Sequence, residues 1–134
     1  MTRTLIDTDI LSYYFKGNPT VVKRFEEYLQ FHELIEISII TYYEIVSGLL
    51  AKGATQQLKV FDEFITNCSI LPMTEKSARV SSELYSEFRR KGKTIDDIDL
   101  LIAGIAIENK MTLTTNNERH FGRIPNLEID NWYR

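Results

Sequence analysis

Three acids far apart in the chain, Asp7, Glu44 and Asp99, each adjoin an apolar run. Asp7 follows Leu5-Ile6, Glu44 precedes Ile45-Val46, and Asp99 precedes Leu100-Leu101-Ile102-Ala103. A carboxylate carried into an apolar interior without a partner is expensive, and no lysine or arginine is obviously placed to neutralise all of them. Two carboxylates ~4 Å apart repel by about 4 kcal/mol at an effective dielectric of 20, and a third adds more. A gathered set therefore persists only by taking up protons or binding a cation. Oxygen-only donors select a hard ion, Mg2+ or Mn2+, over zinc. Such an ion activates water and stabilises charge growing on a phosphoryl group. The chemistry this predicts is cleavage of a phosphodiester or phosphomonoester.

Each acid also has a plainer explanation. Thr41-Tyr42-Tyr43-Glu44 matches a capping box, in which Glu44 would bond back to the Thr41 amide. Asp96 and Asp97 sit where a helix N-terminus welcomes negative charge. Asp99 is harder to explain away, being expected one turn inside a helix that is otherwise apolar; Asp7 poses the same problem at a strand end.

The elements that must position these acids are read from periodicity. Thr4–Ile6 predicts a short strand ending at Asp7. Gly17-Asn18-Pro19 is a turn, with Pro19 placed to open a helix carrying Val21, Phe25, Tyr28 and Leu29 on one face. Residues 35–40 alternate and are rich in β-branched side chains, which predicts a strand. A helix over 41–52 closes at Gly53, and Leu58, Phe61 and Ile65 mark the next. A short strand over 69–71 precedes Pro72. A long helix over 74–91, with Val80, Leu84, Tyr85 and Phe88 inward, ends at Gly92. Residues 98–107 are apolar nearly all round, which describes a helix buried in mid-domain. Residues 111–115 form a strand, 116–121 a polar loop or turn, and 127–129 an edge strand. Strands alternating with helices imply a parallel sheet covered on both faces: an α/β fold, a three-layer α/β/α sandwich with a short sheet. Ligands in such sheets bind beyond the carboxyl ends of the strands. That rim is where Asp7, Glu44 and the set Asn116, Asn117 and Glu118 fall, and where Asp96, Asp97 and Asp99 could join them.

Length and composition bound the setting. The 134 residues suit one domain spanning 1–134. No apolar run approaches the roughly 18 residues of a membrane span, and Asp7 interrupts any signal-peptide core. A single cysteine, Cys68, excludes an internal disulfide framework and a cysteine-based zinc site, and it fits a reducing cytoplasm. The net charge of −3 is unlike that of proteins that hold nucleic acid by bulk attraction. Any such contact here needs a local basic patch or a metal ion. Arg89, Arg90, Lys91 and Lys93 form the dense basic cluster, read first as a solvated complement to a helix C-terminus and second as a phosphate-tracking patch. Tyr13, Tyr14 and Phe15 read as core or dimer contacts before base-stacking platforms, although tyrosine hydroxyls at the rim could touch RNA. His32 reads as a surface residue and Cys68 as a buried small one.

The ordered motifs resemble the PIN-domain ribonucleases, and within them the VapC-type toxins of bacterial toxin–antitoxin pairs. They are Leu5-Ile6-Asp7-Thr8-Asp9-Ile10-Leu11, Thr41-Tyr42-Tyr43-Glu44-Ile45 with Gly48-Leu49, the stretch Ile95 to Ala103, Leu113-Thr114-Thr115-Asn116-Asn117, Phe121, and Asn131-Trp132. The resemblance spans nearly the whole chain. It implies a magnesium-dependent endoribonuclease with an RNA substrate, held inactive by a cognate antitoxin and assembled as a homodimer away from membranes. By position it implies Asp7, Glu44 and Asp99 as metal ligands and catalytic acids. The family's fourth position falls on Asn117, a weaker ligand, and His120 stands where the family often has an acid. Glu118 could compensate there. Asp9, commonly asparagine in the family, is expected to orient the loop after the first strand.

Two other readings remain. In a haloacid-dehalogenase-like phosphatase, Asp7 would be the nucleophile, Asp9 the acid, and Lys93 with Asp96-Asp97 the later motif; there that pair should follow a strand, and Leu11 replaces the preferred threonine or valine. A non-catalytic PIN-like binding module is the other, although it would have lost the acids present here.

Overall fold

Five short apolar segments pair side by side in the computed structural model, which describes residues 2–134. They are β1 (Thr4–Ile6), β2 (Ile35–Ser38), β3 (Cys68–Leu71), β4 (Thr112–Thr114) and β5 (Ile129–Asp130), all parallel, in the order β3-β2-β1-β4-β5. Seven helices link and cover them: α1 (Thr8–Phe15), α2 (Pro19–Leu29), α3 (Ile39–Ala51), α4 (Thr55–Ile65), α5 (Glu75–Arg90), α6 (Asp97–Glu108) and α7 (Glu118–Phe121). The expected α/β/α sandwich is the observed fold.

The two layers have separate cores. On one, Ile6, Ile10, Leu11, Val21, Phe25, Tyr28, Ile37, Phe61 and Trp132 pack together. On the other, Leu5, Leu84, Phe88, Leu113, Phe121 and much of α6 do so. Successive strand residues point to opposite faces, so neighbours Leu5 and Ile6 serve different cores. Helix α6 is buried along most of its length because it meets α5 at very close range: a Cβ added at Gly104 would lie 2.0 Å from Ser81 Oγ and 2.6 Å from the Ser77 carbonyl oxygen.

Several boundaries differ from the sequence reading, each for a local reason. Ile39 and Ile40 are helical rather than strand, because the Ser38 hydroxyl accepts from the Thr41 amide at 3.0 Å and caps α3. Helix α1 occupies a stretch where the sequence pattern predicts no element; only Ile10 and Leu11 on it are buried, too few to show a periodicity. Residues 118–121 form the short helix α7 within the expected polar loop. Tyr85 is not inward but 45% exposed, and its inward place on α5 is taken by Ser77 and Ser81. His32 stacks on Tyr28 at 4.2 Å rather than standing alone on the surface.

Candidate active site

From β1 the chain crosses first toward β2 and β3, then back over to β4 and β5. The sheet's topology thus reverses between β1 and β4, the kind of place beyond the strands' carboxyl ends where open α/β sheets bind ligands. Asp7 stands at that reversal, directly after β1. Its amide extends the ladder by donating to Thr114 O at 2.9 Å, and its carboxylate caps α1, with Oδ1 accepting from the Thr8 amide at 2.8 Å. Across the strand gap Thr115 Oγ1 donates to Asp7 Oδ2 at 2.8 Å, while accepting from the Asn117 amide at 2.9 Å. Asp7 is only 5% exposed, and both its oxygens are held.

Glu44 is not the closing half of a capping box. With Ser38 capping a helix that starts at Ile39, Glu44 falls in the second turn of α3 and has no terminal amide to bond. Its Oε1 instead accepts from Thr8 Oγ1 at 2.5 Å, and Thr8 Oγ1 lies 3.0 Å from the buried Thr41 hydroxyl. Thr8 therefore touches Asp7 through its amide and Glu44 through its side chain, joining the first two acids.

Asp99 lies in the first turn of α6, not a full turn inside, so the helix dipole favours its charge. Asp96 and Asp97 are exposed beside it, and the Asp96 side chain makes no capping bond. Asp99 Oδ2 is 3.6 Å from His120 Nδ1, which is itself 3.1 Å from Asn117 Nδ2. Among the described residues no lysine or arginine lies within ion-pair distance of Asp7, Glu44 or Asp99, and this imidazole is the one basic side chain that does.

The acids raise one another's proton affinity. Burial pushes the Asp7 carboxyl up to about 7, with the Asp9 and Asp99 charges adding to it and the Thr115 and Thr8 hydrogen bonds opposing. Asp99 is likewise raised, by burial first and then by the charges of Asp96 and Glu44, against the pull of His120. Asp9 is raised by burial but is occupied: its Oδ1 accepts from the Ile10 amide at 2.7 Å and Oδ2 from the Asn116 amide at 3.1 Å. It thus ties α1 to the loop after β4, not the loop after the first strand. Glu118 is committed to Asn131 Nδ2 at 2.8 Å and to Arg134, and the Asn131 bond holds its carboxyl below the usual range.

Among the described residues no three acidic, histidine or cysteine side chains converge closely enough to enclose one ion. The three acids line one rim without closing on a common point. The donor set still fits magnesium, which keeps several waters and is commonly held by only one or two carboxylates. Asp7 and Asp99 supply two oxygen donors of raised basicity, near enough that the Asp99 charge is felt at Asp7. The Arg89–Lys93 cluster folds back on its own helix instead: Arg89 bonds the Tyr85 hydroxyl, Arg90 the Ser86 hydroxyl, and Lys91 pairs with Glu87 at 3.2 Å. That is the solvated-face arrangement.

Thr8 and Thr115 were missed in the sequence. Hydroxyls carry no spacing signal, and only the β1–β4 pairing reveals that Thr115 faces Asp7.

Comparison with known proteins matches this arrangement. The PIN domain family model covers residues 4–127. The chain belongs to the PIN domain family. Its relatives there are VapC ribonucleases: Ribonuclease VapC2 of Rickettsia felis is 35% identical over 129 residues, covering 96% of each chain. The tRNA(fMet)-specific endonuclease VapC of Salmonella typhimurium is 29% identical over 133 residues, covering 98% of this chain and 99% of that one. The crystal structure of VapBC2 from Rickettsia felis bound to a DNA fragment from their promoter superposes with a TM-score of 0.88 at 33% identity, over 96% of this chain and 98% of that chain. The family and these relatives show a nuclease, and the phosphatase alternative falls. Asp96-Asp97 opens a helix after a turn, and Asp9 is engaged by two amides rather than free to donate a proton. Among the described residues no helix is long and apolar enough to cross a membrane.

Proposed function

We propose that this PIN-domain nuclease is a magnesium- or manganese-dependent endoribonuclease, the toxin of a VapBC-type pair, with Asp7 and Asp99 as principal metal ligands and Glu44 as the third acid. The observation that carries the reading is the Asp7 carboxylate at the switch point, fixed at both oxygens yet raised in proton affinity by its burial and then by neighbouring acids. Such a group is poised for a cation.

The chain's own residues divide the work. The Thr8 amide and the Thr115 hydroxyl set the direction in which Asp7 presents its remaining lone pairs. Thr8 Oγ1 aims the Glu44 carboxylate, leaving Oε2 to bind the ion or hold water. His120 stands beside Asp99, and Asn117 in turn steadies His120. A bound magnesium ion would offset the repulsion among the acids, activate water for in-line attack and stabilise charge on the phosphoryl oxygens. Asn117 serves at the fourth corner through its position beside His120, and Glu118 acts on the neighbouring loop rather than on the ion.

A cognate antitoxin, a homodimeric assembly and a cytoplasmic setting complete the proposal. The relatives named VapC and the structure titled VapBC2 support a paired toxin. Ile39, Tyr43 and Leu50 leave an exposed apolar stripe on α3 that suits a second copy. The deciding experiment incubates the pure protein with total RNA with and without magnesium, maps the cut sites, and repeats this with Asp7→Asn. Magnesium-dependent cuts absent from the variant are expected; cleavage retained by a clean Asp7→Asn preparation would overturn the assignment.

A further inference from the structure

We infer that Tyr13 and Tyr133 form a stacking subsite for an unpaired base of the RNA strand, directly beside the catalytic rim. The inference rests on the ribonuclease reading above and names a further part of the same site. The two rings lie with centroids 4.2 Å apart and planes tilted by 31°. Tyr133 remains 41% exposed while stacked, so Tyr13 supports it and much of its surface stays open. The core does not require it there: its neighbour Trp132, 1% exposed, is the residue that anchors this segment, edge-on to Phe25 at 5.2 Å.

Hydrogen bonds lead from the pair to the acids. Asn116 Nδ2 reaches the Tyr13 hydroxyl at 3.5 Å, and Asn116 Oδ1 accepts from Asn131 Nδ2 at 3.0 Å. Asn131 Oδ1 in turn accepts from the Tyr133 amide at 2.9 Å. The Asn116 amide is held by Asp9, and its neighbour Thr115 is bonded to Asp7. Arg134 and Asn131 both hold Glu118, which pins the segment against the loop after β4. The exposed ring is thereby fixed to the same loop that fixes Asp7.

Single-stranded RNA is recognised largely by stacking its splayed bases on aromatic faces. Stacking needs no net positive charge, which matters for a chain of net charge −3 that cannot rely on bulk phosphate attraction. A protein segment could also cover the ring, but continuity with the catalytic rim and the amide-rich border of Asn116 and Asn131 favour a base.

The test measures binding of a fluorescein-labelled single-stranded RNA oligonucleotide to the full chain on an Asp7→Asn background, alongside KM for cleavage on the wild-type background. Tyr133→Ala should weaken binding about tenfold and raise KM by a similar factor, the range typical of losing one stacked base. Tyr133→Phe and Tyr133→Trp should retain binding, since the ring and not the hydroxyl is used. The salt dependence of binding should not change slope, because no phosphate contact is lost. Unchanged binding and KM in a folded Tyr133→Ala protein would overturn the subsite and leave the ribonuclease reading intact. Loss in Tyr133→Phe equal to that in Tyr133→Ala would overturn it too, as would an effect confined to inhibition by a co-expressed antitoxin. If the parent chain cuts no RNA yet binds the oligonucleotide in a Tyr133-dependent way, the ribonuclease reading fails and the subsite stands.

Discussion

Thr115 Oγ1 and Asp7 Oδ2, 108 positions apart in sequence, meet at 2.8 Å across the β1–β4 seam. The same hydroxyl accepts from the Asn117 amide, so it is used in both directions. Thr115→Val keeps the shape and removes the hydroxyl. It leaves one carboxylate oxygen and one backbone amide without partners, at about 1–3 kcal/mol for such an unsatisfied group. We expect a clear loss of thermal stability at neutral pH and RNA cleavage reduced at least tenfold. Wild-type cleavage by Thr115→Val would show that Asp7 needs no such orientation.

The raised Asp7 carboxyl has a pH signature. A pKa lifted to about 7 means that the folded chain holds a proton the unfolded chain has released. Stability from this group is present at low pH and is lost as pH rises from the ordinary carboxylate value toward 7. In EDTA at pH 8, Asp7→Asn should therefore be more stable than wild type by on the order of 2–4 kcal/mol, less the bonds that an amide makes poorly, and so unfold at a higher temperature. The gap should narrow as pH falls through 7 and close only below the ordinary carboxylate pKa, at about pH 3, where the wild-type carboxyl is protonated in both states. Millimolar magnesium should then stabilise wild type and not the variant. Equal unfolding temperatures at pH 8 would contradict the burial argument.

Much of this site was legible as residue types and little of it as contacts. β-Branched runs located the strands to within a residue or two, and the apolar ring of α6 placed Asp99 against the core. The capping-box alternative at Thr41–Glu44 fails because Ser38, three residues earlier, competes for the same cap and wins once Ile39 and Ile40 turn helical. The gathering of acids was overstated, since proximity along one rim is not convergence on one point. Thr8, Thr115 and the Asp9–Asn116 bond depend on the β1–β4 pairing between distant segments, which no local pattern encodes.

Thr8 provides a separate check on Glu44. Thr8→Val removes the 2.5 Å bond to Oε1 while keeping the backbone amide that donates to the Asp7 carboxylate, the cap of α1. If Glu44 must be aimed, kcat should fall about tenfold or more, the cost of a misplaced catalytic group, with little change in Tm, and Thr8→Ser should recover most of it. Activity unchanged in Thr8→Val would reduce the Thr8–Glu44 contact to packing.

The close approach of α5 and α6 makes the strongest stability prediction. At Gly104 a methyl group would sit 2.0 Å from Ser81 Oγ and 2.6 Å from Ser77 O. The serine side chain could rotate away, but only by giving up its 2.7 Å bond to Leu100 O, and the Ser77 carbonyl belongs to the α5 backbone and cannot. Gly104→Ala must therefore push the helices apart, at about 1–3 kcal/mol or more for an overpacked core. Ser81→Ala in the same chain should recover only part of the loss, since the backbone clash remains. Because α6 carries Asp99 in its first turn, displacement of the helix also moves that carboxylate relative to Asp7, which β1 and β4 hold in place. Magnesium binding followed by calorimetry on the folded fraction should weaken together with Tm. A Gly104→Ala protein of wild-type stability would mean that the two helices can separate without cost, and the tight α5–α6 seam would not be what sets the position of Asp99.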